Sequence, residues 1–374
     1  MILRRYLCKE LIQNFLATTL VLLLIVMSNK LVSLIAKAAM GEFAANALFQ
    51  MMWLQLPELL AIILPIAFFL AVLLCFGKLF VDLEIPVMLA CGVSWRFLTM
   101  TVVYLAIPIA LISATLSLYV SPLCYQYRDL LLQEEGPMLL LKTVVPGRFH
   151  AFMHDRWIFY VADVNSDRSE LRDIFIAEQP ALALENKDWS VLTARSGKAL
   201  LDSESGNTYV HLFQGKRYQG KPGENEYSVI AFESYQRLIE ETIPQRGLYY
   251  HRSMPTTMLF SNPMPSNVAE LQWRLSIPIT TFVLGLLAVP LSRVTPRKGR
   301  FSKLFVGILS AIIYFNLLTM AKRWVEAKVL PVSVGVWSVH ILFIIFAFIL
   351  LLQVSGRLQN MMKHLKIRSK MHQA

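Results

Sequence analysis

Charge is scarce in this chain, and cysteine scarcer still. Charged residues make up 16% of the 374 positions and hydrophobic residues 56%. A soluble globular domain carries about 25% charged residues, so the composition argues against a wholly water-soluble chain and for a membrane class. The four cysteines, Cys8, Cys75, Cys91 and Cys124, have no metal-ligand spacing. No pair of them falls inside the polar middle of the chain, so that region must fold on its core rather than on disulfides. Catalytic signatures are missing as well: there is no Walker A sequence, no G-x-G-x-x-G, no H-E-x-x-H and no G-x-S-x-G. The seven histidines are scattered; His150 and His154 are four apart, but in a strand-rich stretch that denies them the shared helix face a metal pair needs. These absences exclude covalent chemistry by the chain itself, a bound metal and a cofactor.

Hydrophobic residues are abundant and unevenly spread. They concentrate in residues 10–120 and 273–353, while 125–270 has the composition of a soluble domain. Six apolar runs approach the roughly 20 residues that cross a bilayer: Phe15–Ala36, Trp53–Phe76, Phe97–Val120, Trp273–Leu291, Leu304–Ala321 and Val334–Val354. Pro65, Pro108 and Pro278 interrupt three of them, which a helix bundle tolerates because neighbours re-satisfy the freed backbone groups. The first run, with Arg4-Arg5 before it and Ala36-Lys37-Ala38 after it, has the outline of a cleaved secretory signal. Lys9 and Glu10 intervene, however, and the run exceeds the usual signal core of about 7–15 residues.

The net charge of +11 invites a nucleic-acid reading. The basic residues instead sit beside the apolar runs, as membrane topology demands. On one side the N-terminus, the 77–96 and 293–303 loops and the C-terminal tail carry fifteen Lys and Arg; the short loops of the other side carry five, Lys30, Lys37, Lys322, Arg323 and Lys328. The expectation is a multi-pass inner-membrane protein with both termini cytoplasmic, an external 121–272 segment and no nucleic-acid partner.

That segment is patterned as short strands: Arg156–Val164, Leu171–Ala177, Trp189–Ala194, Tyr209–Phe213 and Tyr227–Phe232, separated by turn residues and glycines. Such spacing indicates a sandwich, a jellyroll or a similar all-β fold. The fold class is therefore an α+β membrane protein: six transmembrane helices, three plus three, with an inserted periplasmic β-jellyroll-like domain.

Two features carry functional content. Lys30, Ser33 and Lys37 share one face of helix one, and Lys322 and Arg323 close the outer end of helix five. Either these cations snorkel to the headgroups, or they form a ring suited to an anionic lipid headgroup. The second feature is the 77–96 loop, which is too polar to span the membrane yet carries Leu83, Ile85, Val87, Met88 and Leu89. An amphipathic helix lying on the membrane or on a partner protein uses such a sequence. Glu84, one of two carboxylates there, is either a solvated acid or a contact.

At this loop the chain resembles the LptF/LptG family of lipopolysaccharide export permeases. The matching residues are Glu84-Ile85, Val87-Met88, Ala90 and Gly92. Others are Pro57-Glu58, Leu64-Pro65, Val289-Pro290-Leu291-Ser292, Pro146-Gly147-Arg148-Phe149 and Gln214-Gly215-Lys216-Arg217-Tyr218. Gly77-Lys78-Leu79 and Ala90-Cys91-Gly92 look more like the LptF branch than the LptG branch. The resemblance implies a heterodimer with an LptG-like permease, a separate LptB-like ATPase dimer, and LptC-like and LptA-like β-domain proteins that receive the lipopolysaccharide. It implies that Glu84 is the carboxylate of a coupling helix, at about 78–95, that docks on the ATPase. It further implies that Lys30 and Lys322, with Arg323 beside them, face lipid phosphates; Ser33 departs from relatives that carry arginine there. The domains expected are 1–122 (first membrane half), 123–270 (β-domain) and 271–374 (second membrane half and basic tail). Two other classes fit the residues alone: a permease of another ATP-driven lipid or lipoprotein extractor, and a membrane receptor or scaffold.

Overall fold

The computed structural model describes residues 2–39, 48–131, 146–152, 157–165, 170–178, 189–201, 208–220, 226–239, 250–261, 263–294 and 304–355. The basic positions Arg297, Lys298, Arg300 and Lys303, and the tail from Arg357 onward, lie outside them. Contacts divide the chain into two compact units. Met1–Asn29, Leu54–Gln126 and His251–Ala374 form the first, and Lys30–Trp53 with Tyr127–Tyr250 form the second.

The helices in chain order are α1 (Ile2–Ala39), α2 (Leu48–Val81), α3 (Glu84–Ala90) and α4 (Trp95–Leu131), then α5 (Tyr250–Ser253), α6 (Thr256–Ser261), α7 (Pro265–Leu291), α8 (Leu304–Glu326) and α9 (Trp337–Val354). Six of them, α1, α2, α4, α7, α8 and α9, are long and apolar enough to cross a membrane, the three-plus-three arrangement expected from hydropathy. The prolines at 57, 65, 108, 278 and 290 lie inside helices without ending them. A π turn at Leu116–Val120 widens α4, the kind of local adjustment that long membrane helices absorb. Helix α7 begins eight residues before its apolar run, at Pro265 rather than Trp273, and α4 continues past Val120. Intrahelical hydrogen bonds do not require apolar side chains, and the turns so added carry Tyr125 and Gln126 on α4 and Glu270 on α7.

The core of the first unit is built around α2 and α7. Phe68, Phe69, Phe76, Leu79, Leu98, Leu284, Leu287 and Tyr314 are fully or almost fully buried in it. At Gly285 a Cβ would stand 3.0 Å from the Phe68 ring, a close approach that small residues permit between membrane helices. Helix α1 joins this core only near its start, through Leu7 and Leu11 with Cys8 and Phe15 packed beside them. Beyond that many of its apolar residues are exposed, Leu16 at 61% and Leu24 at 62%, until Leu34 is buried with Met51 in the second unit.

In the second unit six antiparallel strands follow one another across a single sheet: β1 (Phe149–Phe152), β2 (Trp157–Val164), β3 (Leu171–Glu178), β4 (Trp189–Leu201), β5 (Thr208–Gly220) and β6 (Tyr227–Ile239). The inserted β-domain is as expected, with β1 and β6 as its edges among the described residues. Val161, Ile174, Ile176, Leu192, Ala194 and Leu212 bury one face, with Phe159 packed against them. Ile158, beside Phe159 in β2, lies on the other face opposite Ala177 and is exposed. Strand alternation forbids adjacent residues from sharing a face.

A crease crosses the sheet. From β2 to β6 each ladder skips one position, and the skipped residues line up: Ala162, Asp173, Arg195, Gln214 and Glu233. Asp173 and Gln214 adopt φ of +48° and +52°, a left-handed backbone. The buried face changes phase there: Leu171 and Ile174, three apart, are both buried.

Candidate functional site

At the α2–α4 connection the chain builds a small surface helix. Leu83 takes φ +64° and Gly92 φ +91°, and between them α3 spans only Glu84–Ala90. The helix expected over about 78–95 is therefore shorter, because Lys78–Val81 complete α2 and Leu83 turns the chain. Pro86 stands in the first turn, where its missing N–H costs nothing. Ile85 is fully buried and roots α3 in the bundle, while Leu83 and Val87 are exposed beside it. Glu84 is half-buried and accepts a hydrogen bond from the Tyr6 hydroxyl at 2.9 Å. Nearby, Lys78 lies 3.9 Å from Glu10, and the Arg4 guanidinium stands 5.4 Å from the centre of the Phe97 ring.

A second polar cluster joins α2, α4, α5, α6, α7 and α8. Glu270 is buried on α7; one oxygen accepts from Arg274 Nε at 3.1 Å and the other from Lys322 Nζ at 2.6 Å. Arg274 uses its remaining donors on the carbonyls of His251, Arg252 and Met254 and on the Thr256 hydroxyl. All five guanidinium N–H groups are then satisfied. Tyr125 donates to Glu58, and Arg252 reaches the same carboxylate at 3.3 Å. Gln126 donates to the Ser253 carbonyl at 2.8 Å. Lys322 also lies 3.8 Å from Glu326 and 5.4 Å from the Trp273 ring. Every charge here has a partner, which is the condition for burying it.

Of the expected site residues, Glu84 is on α3 and Lys30 is half-buried on α1, with Ser33 exposed one turn on; the side chain of Lys37 lies outside the described residues. Lys322 is turned inward, 13% exposed, against Glu270, whereas its neighbour Arg323 is exposed. The pairing of Lys322 was missed because hydropathy started span four at Trp273 and left Glu270 outside it. The four-residue spacing of Glu270 and Arg274 was the available signal. Tyr6 carried no signal at all. Among the described residues no group of three or more His, Cys, Asp or Glu is placed to hold a metal.

The sequence pattern of the family described as "Lipopolysaccharide export system permease LptF/LptG" matches residues 5–353. The chain belongs to the LptF/LptG family. It is 29% identical over 350 residues to the lipopolysaccharide export system permease protein LptF of Escherichia coli (strain K12), covering 94% of each chain. The LptF protein of Shigella flexneri matches equally, at 29% over 94% of each. These relatives agree with the LptF-like character of Gly77–Leu79 and Ala90–Gly92. As an LptF/LptG member with six apolar helices the chain is a multi-pass membrane permease of lipopolysaccharide export.

Proposed function

We propose that this chain is the non-catalytic permease subunit of an ATP-driven exporter that extracts lipopolysaccharide from the inner membrane and passes it to a periplasmic bridge. In this reading it pairs with an LptG-like permease, an LptB-like ATPase dimer drives it from the cytoplasm, and LptC-like and LptA-like β-domain proteins receive the lipid. Both termini are cytoplasmic and the β-domain is periplasmic; residues 1–122, 123–270 and 271–374 serve as first membrane half, β-domain and second membrane half. The observation that carries the reading is α3: a helix too short to stand alone, rooted by Ile85, presenting a carboxylate between exposed Leu83 and Val87. A rooted helix with an apolar and anionic outer surface fits a groove on another protein.

Lys30, Lys322 and Arg323 are the cations we assign to lipid phosphates; of the three, Lys322 is held inward by Glu270. Acyl chains leaving the bilayer must stay out of water, because each exposed methylene costs roughly 0.8 kcal/mol. The apolar face of the sheet, Val161, Ile174, Ile176, Leu192 and Leu212, is the path we propose for them.

The test is copurification in mild detergent with mass spectrometry. An LptB-like ATPase, an LptG-like permease and lipopolysaccharide are expected; a different ATPase with lipoprotein, or no ATPase, overturns the reading. For the cations, Lys30→Asp is expected to lower lipopolysaccharide retention more than Lys30→Arg. Equal retention by the two variants returns Lys30 to snorkelling.

A further inference from the structure

We propose that Tyr6 is the positioning residue through which α3 moves α1. The inference rests on the reading above, that α3 receives the push of a separate ATPase. Helix α1 packs on the first unit near its start, while its far end packs in the second unit, where Leu34 is buried with Met51. Leu7 and Leu11 are buried, Phe15 meets the Phe68 ring edge-on at 6.1 Å, and from Leu16 onward the large apolar side chains are mostly exposed. A helix rises about 1.5 Å per residue, so Ile25 lies roughly 28 Å beyond Tyr6, and between Leu16 and Ile25 most of the large apolar side chains are exposed.

Beside this packing, three contacts of polar side chains hold the start of α1 among the described residues, and they are not equivalent. Arg4 over Phe97 ties α1 to α4, and Glu10 near Lys78 ties it to α2; neither reaches α3. Among the described residues the polar tie from α1 to α3 is the Tyr6 hydroxyl on Glu84. That bond engages one carboxylate oxygen, Oε2. Among the described residues the other oxygen accepts no hydrogen bond, and we infer that it takes a cation presented by a partner. One carboxylate thus faces the partner and α1 together, so a displacement of α3 reaches α1 through the phenol. Sequence position alone hides this relation, because the two residues are 78 apart.

Tyr6→Phe removes the hydroxyl and keeps the ring. The complex with its ATPase and partner permease, reconstituted in vesicles loaded with lipopolysaccharide, is followed for ATPase copurification, ATP hydrolysis and lipopolysaccharide released per ATP. We expect copurification and hydrolysis to stay close to wild type while release per ATP falls by about five-fold or more, the scale of a broken coupling contact. Unchanged release overturns the proposal. A loss of copurification matching the loss of release also overturns it, since Tyr6 then only holds Glu84 for docking. Glu84→Ala run in parallel separates the two levels. If that variant keeps its ATPase, the docking reading fails; if it loses the ATPase while Tyr6→Phe keeps it, the Tyr6 result stands alone.

Discussion

Around Glu270 the first unit locks its charges, whereas around Glu84 it leaves them loosely held. Glu270 and Arg274 are almost completely buried, and Arg274 spends five donors on fixed acceptors. Glu84 is half-buried with one hydrogen bond, and Lys78 and Glu10 approach only to 3.9 Å. Removing one partner of a buried pair strands the other in a medium that cannot solvate it, at about 3–5 kcal/mol. Exchanging partners at a half-exposed group costs far less, about 0–1 kcal/mol for surface ion pairs. The contrast assigns work: the Glu270 cluster fixes the segments His251–Thr256 and Tyr125–Gln126 to the helices, and the Glu84 end is where a partner can be gained and lost cheaply.

The largest effect that would break this contrast is at Glu270. Glu270→Ala leaves Arg274 and Lys322 without their carboxylate, and we expect a loss of about 3–5 kcal/mol, measured by unfolding of the purified protein in detergent. A loss under about 1 kcal/mol would make the two ends alike. Next, Lys322→Ala should cost about 2 kcal/mol, since Glu270 keeps Arg274 but loses a charged hydrogen bond. Arg323→Ala, on an exposed side chain, should stay within about 0.5 kcal/mol. Equal effects would place Lys322 outside the locked cluster.

Glu84→Ala should change stability by less than about 1 kcal/mol while weakening ATPase copurification and export. Normal export by that variant would end its coupling role. The smallest effect belongs to the second unit. There the Lys198 ammonium bonded to Glu170 holds that carboxyl below its ordinary range. A depressed folded-state pKa gives stability that is present above the unfolded value, about 4.3, and lost as pH falls through the folded one. Lys198→Ala should therefore remove a slight stabilisation at neutral pH, make no difference once the carboxyl is protonated in acid, and so flatten the acid dependence of unfolding.

Legibility from the sequence differed between the two units. The six spans were visible because transfer into lipid depends on local composition, and each run was long enough to register. The β-domain was visible as strands but not in its geometry. The strand readings ended at Ala194, Phe213 and Phe232, whereas β4, β5 and β6 continue to Leu201, Gly220 and Ile239. Each reading stopped beside the crease at Arg195, Gln214 and Glu233, where the change of face breaks the period of two on which strand recognition depends.

The site divides along a similar line. Glu84 was legible because it interrupts an apolar loop, and Lys322 because a cation closes an apolar helix. Local composition marks both residues, as it marks the helix count and the inserted domain. Which acid meets which base was settled by packing alone. Glu58 and Arg252 are 194 residues apart and Glu270 and Lys322 are 52 apart. Such pairs form only when helices distant in the chain are brought together by the apolar core they share, and no local pattern encodes that meeting.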